Sequence, residues 1–307
     1  MIRVQRYSVS QLPLPVIERL NHFSLYTSIG FAALWRSLRG RDVYWVALED
    51  DRMLAALPGV EFHERPLTTF QSMPSGLYAR ICPLTDEREC LYSAPALLKA
   101  IAAAGYARVF VNDFYAELPP NPFQSRACTT TVVDLSEPDW RPTNRKTRAE
   151  IRKADREGTT VEDFDVTCHL PRFMELVNIS RRQRGRTVRY SEDFYRALGE
   201  LAQSDQRVRW VCAVRDGIIA ASHIILVEGH SALWWQLHFD KAYSYAKPNP
   251  FLLYTVAQEL AFEGVTRINL GMSPEHATGI IAYKEKWGGA DYTYPMYVYR
   301  SLLGRML

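Results

Sequence analysis

The chain repeats itself, and that constrains its fold more than any other feature. WVALEDDRMLAA begins at Trp45 and WVCAVRDGIIAA begins at Trp210. Without a gap, they share Trp-Val, a turn aspartate (Asp51, Asp216), a hydrophobic position (Leu54, Ile219) and a closing Ala-Ala. GYARVFV from Gly105 is answered by GVTRINL from Gly264. The two matches lie 165 and 159 residues apart, nearly one register, so the 307 residues read as two copies of one unit.

Both copies show antiparallel hairpins, then a helix, then a strand. Residues 43–48 and 53–57 flank a turn, 77–81 form a third strand candidate, and Ala94 to Ala104 is helical in pattern with Gly105 as its cap. Arg108 to Val111 follows as a strand. In the second copy, 208–214, 218–227 and 231–239 read as a meander. A helix then starts with Asn249 as cap and Pro250 in the first position and ends at Gly264. Arg267 to Leu270 is a strand, Thr278 to Trp287 a helix, and Tyr292 to Tyr299 a last strand, with Pro295 marking an edge or bulge. The proline-punctuated stretch 135–143 suits a boundary. The expected class is α+β, each half a mixed, mostly antiparallel sheet flanked by helices. The domains are 1–135 and 136–307, with the last strand a candidate to pack on the first.

Composition excludes several classes. With 47% hydrophobic and 23% charged residues the chain reads as globular, and no apolar run approaches the ~20 residues of a membrane span. The start carries no signal-peptide pattern. Five scattered cysteines without a C-x-x-C pair read as reduced thiols of a cytoplasmic protein. Phosphate-loop, dinucleotide and zincin motifs are missing, as is the nucleophile elbow. His223, His230 and His238 are spaced as core or surface histidines, and no metal is expected.

Four features carry chemistry. Between Arg141 and Arg189, thirteen basic residues face seven acidic ones, which favours an anionic partner over a merely solvated basic face. Within it, the helix Asn144 to Glu157 puts Arg145, Arg148, Arg152 and Arg156 on one stripe, opposite Thr147, Ile151 and Ala154. Guanidiniums at that spacing suit phosphates, and a second cluster, Arg181, Arg182, Arg184, Arg186 and Arg189, follows. The helix start at Asn249, with Lys247 beside it, is an anion-site candidate. On 231–239, strict alternation puts Trp234, Gln236 and His238 on one face, suited to a substrate channel. Finally, Gly271 opens a loop leading to a short helix with Tyr283 and Lys284, closed by Trp287, Gly288 and Gly289. In a chain with seven lysines against thirty arginines, a lysine there points to a compact cation for an oxyanion or leaving oxygen.

Three segments carry a resemblance to the Fem-type aminoacyltransferases, the FemAB-like branch of the GNAT acyltransferases. They are RAEIRKADREG from Arg148, the helix and strand from Phe251 ending in N-L-G at Gly271 (relatives often have D-L-G or D-F-G), and GIIAYKEKWGG from Gly279. The last is similar to the family's G-L-x-x-F-K-x-x-F-G element, with Tyr283 for the commoner Phe. The resemblance implies two tandem GNAT-like domains, Lys284 at the reaction centre, and transfer of an aminoacyl group from aminoacyl-tRNA to an amine of a peptidoglycan precursor or natural-product peptide. Arg148, Arg152, Arg184, Trp234, Gln236, His238, Lys247, Asn249, Gly271 and Tyr283 are then the candidate substrate contacts. No cofactor beyond the co-substrate is implied, and no general base is identified. Two alternatives stay open: an acyl-CoA-dependent N-acyltransferase, which the glycine-poor loop before Phe251 disfavours, and a non-catalytic nucleotide- or RNA-binding module.

Overall fold

The near-continuous apolar run of residues 43–48 is buried along its whole length, the pattern of a strand covered on both faces. It lies in the first of two units in the computed structural model, which describes all residues except 65, 185–188, 274–276 and 302–307, and not the side chains of 183 and 184. One unit is Met1–Cys128 with the chain end from Thr293, and the other is Thr129–Tyr292.

The first unit contains β1 (Arg3–Tyr7), α1 (Leu14–Phe23), α2 (Ile29–Ala33), β2 (Gly40–Glu49), β3 (Arg52–Glu64), β4 (Leu67–Ser72), β5 (Cys82–Pro83), α3 (Glu87–Ala103) and β6 (Arg108–Asn112). β1, β2, β3 and β4 pair antiparallel in that order, and β4 then runs parallel to β6. The third strand is Leu67–Ser72 rather than 77–81. Residues 77–81 are extended but make only isolated bonds, such as Ala79 N–H to Asn112 O at 2.8 Å. The alternating LTTFQS is rich in threonine, and its single buried aromatic, Phe70, hides its strand character. α3 starts earlier than expected. Asp86 caps it by accepting from Glu89 N–H, and Pro95 lies inside the helix.

β7 (Gln124–Asp134) leads into the second unit: α4 (Arg145–Arg156), β8 (Thr160–Asp163), α5 (Val166–Arg184), α6 (Glu192–Ser204), β9 (Val208–Arg215), β10 (Ile218–Glu228), β11 (Ser231–Phe239), α7 (Pro248–Phe262), β12 (Arg267–Met272) and α8 (Thr278–Glu285); β13 (Ala290–Arg300) follows, most of it belonging to the first unit. β8, β9, β10 and β11 are antiparallel in order, and β11 runs parallel to β12. This is the pairing scheme of the first unit's main strands, without a counterpart to the short β5 that pairs with β3 there. Beyond its parallel pair each unit adds an antiparallel strand: Met296–Arg300 of β13 on β6 in the first, and Thr130–Asp134 of β7 on β12 in the second. Both tight hairpins use consecutive residues with positive φ, Asp50 and Asp51 in one and Asp216 and Gly217 in the other. That is the turn whose twist suits a two-residue hairpin. The structure thus shifts the matched aspartates by one residue at the turn. Gly105 and Gly264 both leave their helices with positive φ, as caps do.

The second unit departs from its twin on β11. Trp234 pairs with Ile225 and Gln236 with Ile224, so Trp235 is an extra residue, a β-bulge. The bulge breaks the expected alternation. Trp234 joins Leu237 and Phe239 on the side packed by α7, while Gln236 and His238 face Tyr195 and Phe173 of α6 and α5. The three residues therefore do not share a face. β11 pairs with β12 only through Ser231, Ala232 and Leu233, and its remaining residues are paired with β10 on one side only. In the first unit β4 stays paired to its last residue, Ser72.

α7 begins at Pro248, with Lys247 in the left-handed conformation as its N-cap. Asn249 is therefore inside the helix, not its cap. Its Oδ1 accepts from Nε2–H of the fully buried His223 at 2.5 Å, and His223 Nδ1 accepts from the Trp234 indole at 3.0 Å. Both ring nitrogens are used by a neutral imidazole, and burial holds its pKa down to about 4. The unfolded chain binds this proton near 6.5, so stability should fall as pH drops from 6.5 towards 4, by about 3 kcal/mol in all. Urea unfolding across that window should show a steeper loss for the wild type than for His223→Gln, and equal slopes would contradict the buried neutral imidazole.

Candidate functional site

Lys284 is the buried cation of the second unit. It lies on α8 at 5% exposure, and its ammonium donates to the carbonyl of Gly271 at the end of β12. Desolvation pulls its pKa down to about 8, and only Asp291 opposes that shift. β12 is built to receive it. Asn269, itself buried, accepts at Oδ1 from the Gly271 N–H at 2.7 Å and from the Thr130 hydroxyl at 2.5 Å. This side-chain turn, with Gly271 at a φ of +80°, breaks the β12–β7 register between Asn269 and Met272. Where Fem-type relatives often carry aspartate, Asn269 adds no negative charge beside the ammonium.

The segment after Lys284 fixes its height. Trp287 is fully buried and stacks with Trp140 at 6.3 Å, which stacks in turn on Tyr254 of α7. Thr143 donates to the Glu285 and Lys286 carbonyls, and Asn144 N–H donates to Lys286 O at 3.2 Å. A side chain on Gly289 would sit 2.4 Å from Thr131 Cγ2 and 3.2 Å from the Lys284 carbonyl. The paired glycines thus permit close passage of the chain beside Lys284. Residues 135–143 are no free linker: Leu135 is in the core and Trp140 in the stack. Tyr283 packs edge-on to Trp287, and burial pushes its hydroxyl pKa up, with the indole opposing.

The remaining candidates are scattered. Arg148 donates to the Pro142 and Thr143 carbonyls at 2.7 and 2.8 Å, tying down the start of α4, whereas Arg145, Arg152 and Arg156 are exposed. Lys247 pairs with Glu150 of α4 at 3.2 Å. Gln236 Oε1 accepts from Tyr195 at 2.9 Å, and its Nε2 is buried without a hydrogen-bond partner among the described residues. Arg181 and Arg182 are exposed on α5, the Arg189 guanidinium lies over Tyr190, and the Arg184 side chain and Arg186 are outside the described residues. Among the described residues, no group of potential ligands could hold a metal ion, and no helix is long and apolar enough to cross a membrane. Sequence reasoning missed Asn269, Thr130 and Thr143. The N-L-G departure was the one available signal, for Asn269; the two threonines reach the site only through folding.

Residues 145–285, within the second unit, match the family model described as Acetyltransferase (GNAT) domain, which supports a GNAT-type acyltransferase. The matching element order makes the first unit a second GNAT-like domain. The fold is that of FemX: its crystal structure aligns with a TM-score of 0.65 at 14% identity, over 89% of this chain and 91% of that one. L-PGS from Bacillus licheniformis aligns at 0.59 and 15% identity, over 90% of this chain and 88% of that one. No curated protein matches by sequence.

Burying a charged lysine costs stability, so Lys284→Met should leave the protein at pH 7 as stable as the wild type or up to ~3 kcal/mol more stable. Thermal unfolding checks this, and a clearly lower Tm would show that the Gly271 bond outweighs desolvation. Gly289→Ala should instead cost roughly 1–3 kcal/mol, because the Thr131 contact cannot relax freely.

Proposed function

We propose that the protein transfers an aminoacyl group from aminoacyl-tRNA to the amine of a peptide or peptidoglycan-type acceptor. The observation that carries this reading is the buried Lys284 ammonium, held by Gly271 O at the end of β12, where the bulged β11 has parted from its neighbour. The FemX-like fold supports it.

The chemistry asks little of the protein. The ester is already activated, so an attacking amine needs to be held against the carbonyl carbon, and such positioning supplies much of the rate. The new C–N bond forms, the ester C–O bond breaks, and the amine proton ends on the ribose hydroxyl. The Lys284 ammonium stabilises the tetrahedral oxyanion. With a pKa near 8 it can also lend its proton to the leaving oxygen and take one back. The exposed arginines of α4 would hold phosphates.

An acyl-CoA donor is the second reading, favoured by the acetyltransferase description of the matching family. The start of α7 weakens it. A pyrophosphate at a helix N-terminus needs free backbone N–H groups. Pro248 and Pro250 have none, and the Asn249 side chain is engaged by His223.

Labelled aminoacyl-tRNA and labelled acetyl-CoA, each offered with an amine acceptor mixture, separate the two. Label should move from the tRNA, and Lys284→Ala should lower kcat by roughly 10²–10³-fold while the fold persists. Transfer from the thioester alone would overturn the proposal. Because the ammonium is the working form, kcat should decline as pH rises through about 8, and Lys284→Arg should remove that decline.

A further inference from the structure

The segment between β11 and α7 is not used by the reaction described above, yet its surface has a distinct composition. Residues Lys241–Ala246 form a short 3₁₀ helix, capped by Asp240, whose side chain accepts from Ala242 N–H at 3.0 Å. The rings of Tyr243 and Tyr245 stack on each other, with centroids 6.4 Å apart and planes 28° from parallel. Tyr245 is 49% exposed, although a tyrosine in a well-folded protein usually hides more of its ring. Lys241 beside them is exposed as well, and Lys247 follows after one buried alanine.

This turn is anchored against α4. Lys247 pairs with Glu150, and the Thr159 hydroxyl just beyond α4 donates to Ala246 O at 3.4 Å. The solvent side of α4 carries Arg145, Lys146, Arg152 and Arg156, all exposed, against one exposed carboxylate, Asp155. Of the acidic residues at its end, Glu157 is engaged by Lys153 at 3.4 Å. An aromatic pair thus sits beside a row of cations, with the end of β11 that has left β12 leading into it.

We propose that Tyr243 and Tyr245 form a stacking platform for an unpaired base at the 3′ end of an RNA, with the cations of α4 following its phosphates. Aromatic rings take any unpaired base by its face, and a ring braced by a second ring gives up little freedom in doing so. A double-stranded stem hides its base faces and would contact the cations alone. The row of separate cations suits a chain of phosphates better than the compact diphosphate of a coenzyme. This inference rests on the aminoacyl-tRNA reading and adds to it the residues that would hold the RNA end, apart from Lys284.

The test is fluorescence anisotropy with a 5′-labelled RNA minihelix bearing a single-stranded 3′ overhang that ends in adenosine. A blunt minihelix and CoA serve as second and third probes. Tyr245→Ala should weaken the overhang RNA about tenfold or more, as loss of one stacked base does. Tyr245→Phe should bind like the wild type, and the salt dependence of Tyr245→Ala should be unchanged. Arg152→Glu should instead flatten the salt dependence for overhang and blunt RNA alike. Unchanged affinity in Tyr245→Ala and in the double variant Tyr243→Ala/Tyr245→Ala would overturn the platform. If those variants still transferred label from aminoacyl-tRNA, the reading of the reaction would stand without it. Loss of CoA binding in Tyr245→Ala, with no RNA bound by the wild type, would overturn the RNA assignment and the tRNA donor together.

Discussion

One extra residue in β11 governs the second unit. The bulge at Trp235 turns the strand, and three separate features follow from that turn. Trp234 swings to the α7 side, where its indole fixes the tautomer of His223, which then holds Asn249 in the first turn of α7. Gln236 and His238 turn to the opposite side, against α5 and α6. β11 also leaves β12 after Leu233, so the end of β12 that receives Lys284 is not covered by its parallel neighbour.

The first unit shows what the same scheme looks like without a bulge in β4, the strand equivalent to β11. β4 and β6 are paired from Thr69 to Ser72, and the residues after β4 and β6 fill the strand ends with rings. Tyr78 stacks on Phe114 at 4.4 Å, with Tyr26 and Tyr294 edge-on to Tyr78. Each large side chain buried there contributes roughly 1.5–3 kcal/mol to stability. At the equivalent place, one copy is packed shut with aromatics and the other holds a lysine. Duplication thus kept the sheet and let its open end diverge, and the proposed site lies at that end.

Lys284 illustrates the conflict between stability and chemistry. A charged amine at 5% exposure is held there by one side of a glycine turn and by the Trp140–Trp287 stack beneath the following loop. In the proposed reaction, the same desolvation that lowers its pKa would strengthen its field on a developing oxyanion, because little water remains to screen it. Asn269 contributes by being neutral: a carboxylate in its place would satisfy the ammonium and blunt both effects.

Much of this was legible in the residues alone. The repeat around Trp45 and Trp210, the meander from Val208, the stripe of α4 with Thr147, Ile151 and Ala154 inward, and Lys284 in its glycine-rich surroundings all follow from local periodicity and turn chemistry. Such signals span a few residues and survive without a tertiary context. What could not be read were effects of long-range pairing. A strict period of two placed Trp234, Gln236 and His238 together, because a bulge exists only relative to a partner strand. Asn249 looked like a cap until His223, 26 residues away, engaged its side chain. Arg148 looked like a phosphate ligand until the backbone of Pro142 and Thr143 folded back to it. The sequence by itself determined the repeated unit and most of its hairpins and helices; only the tertiary structure decided which polar groups remain for a substrate, since that depends on what each one meets after folding.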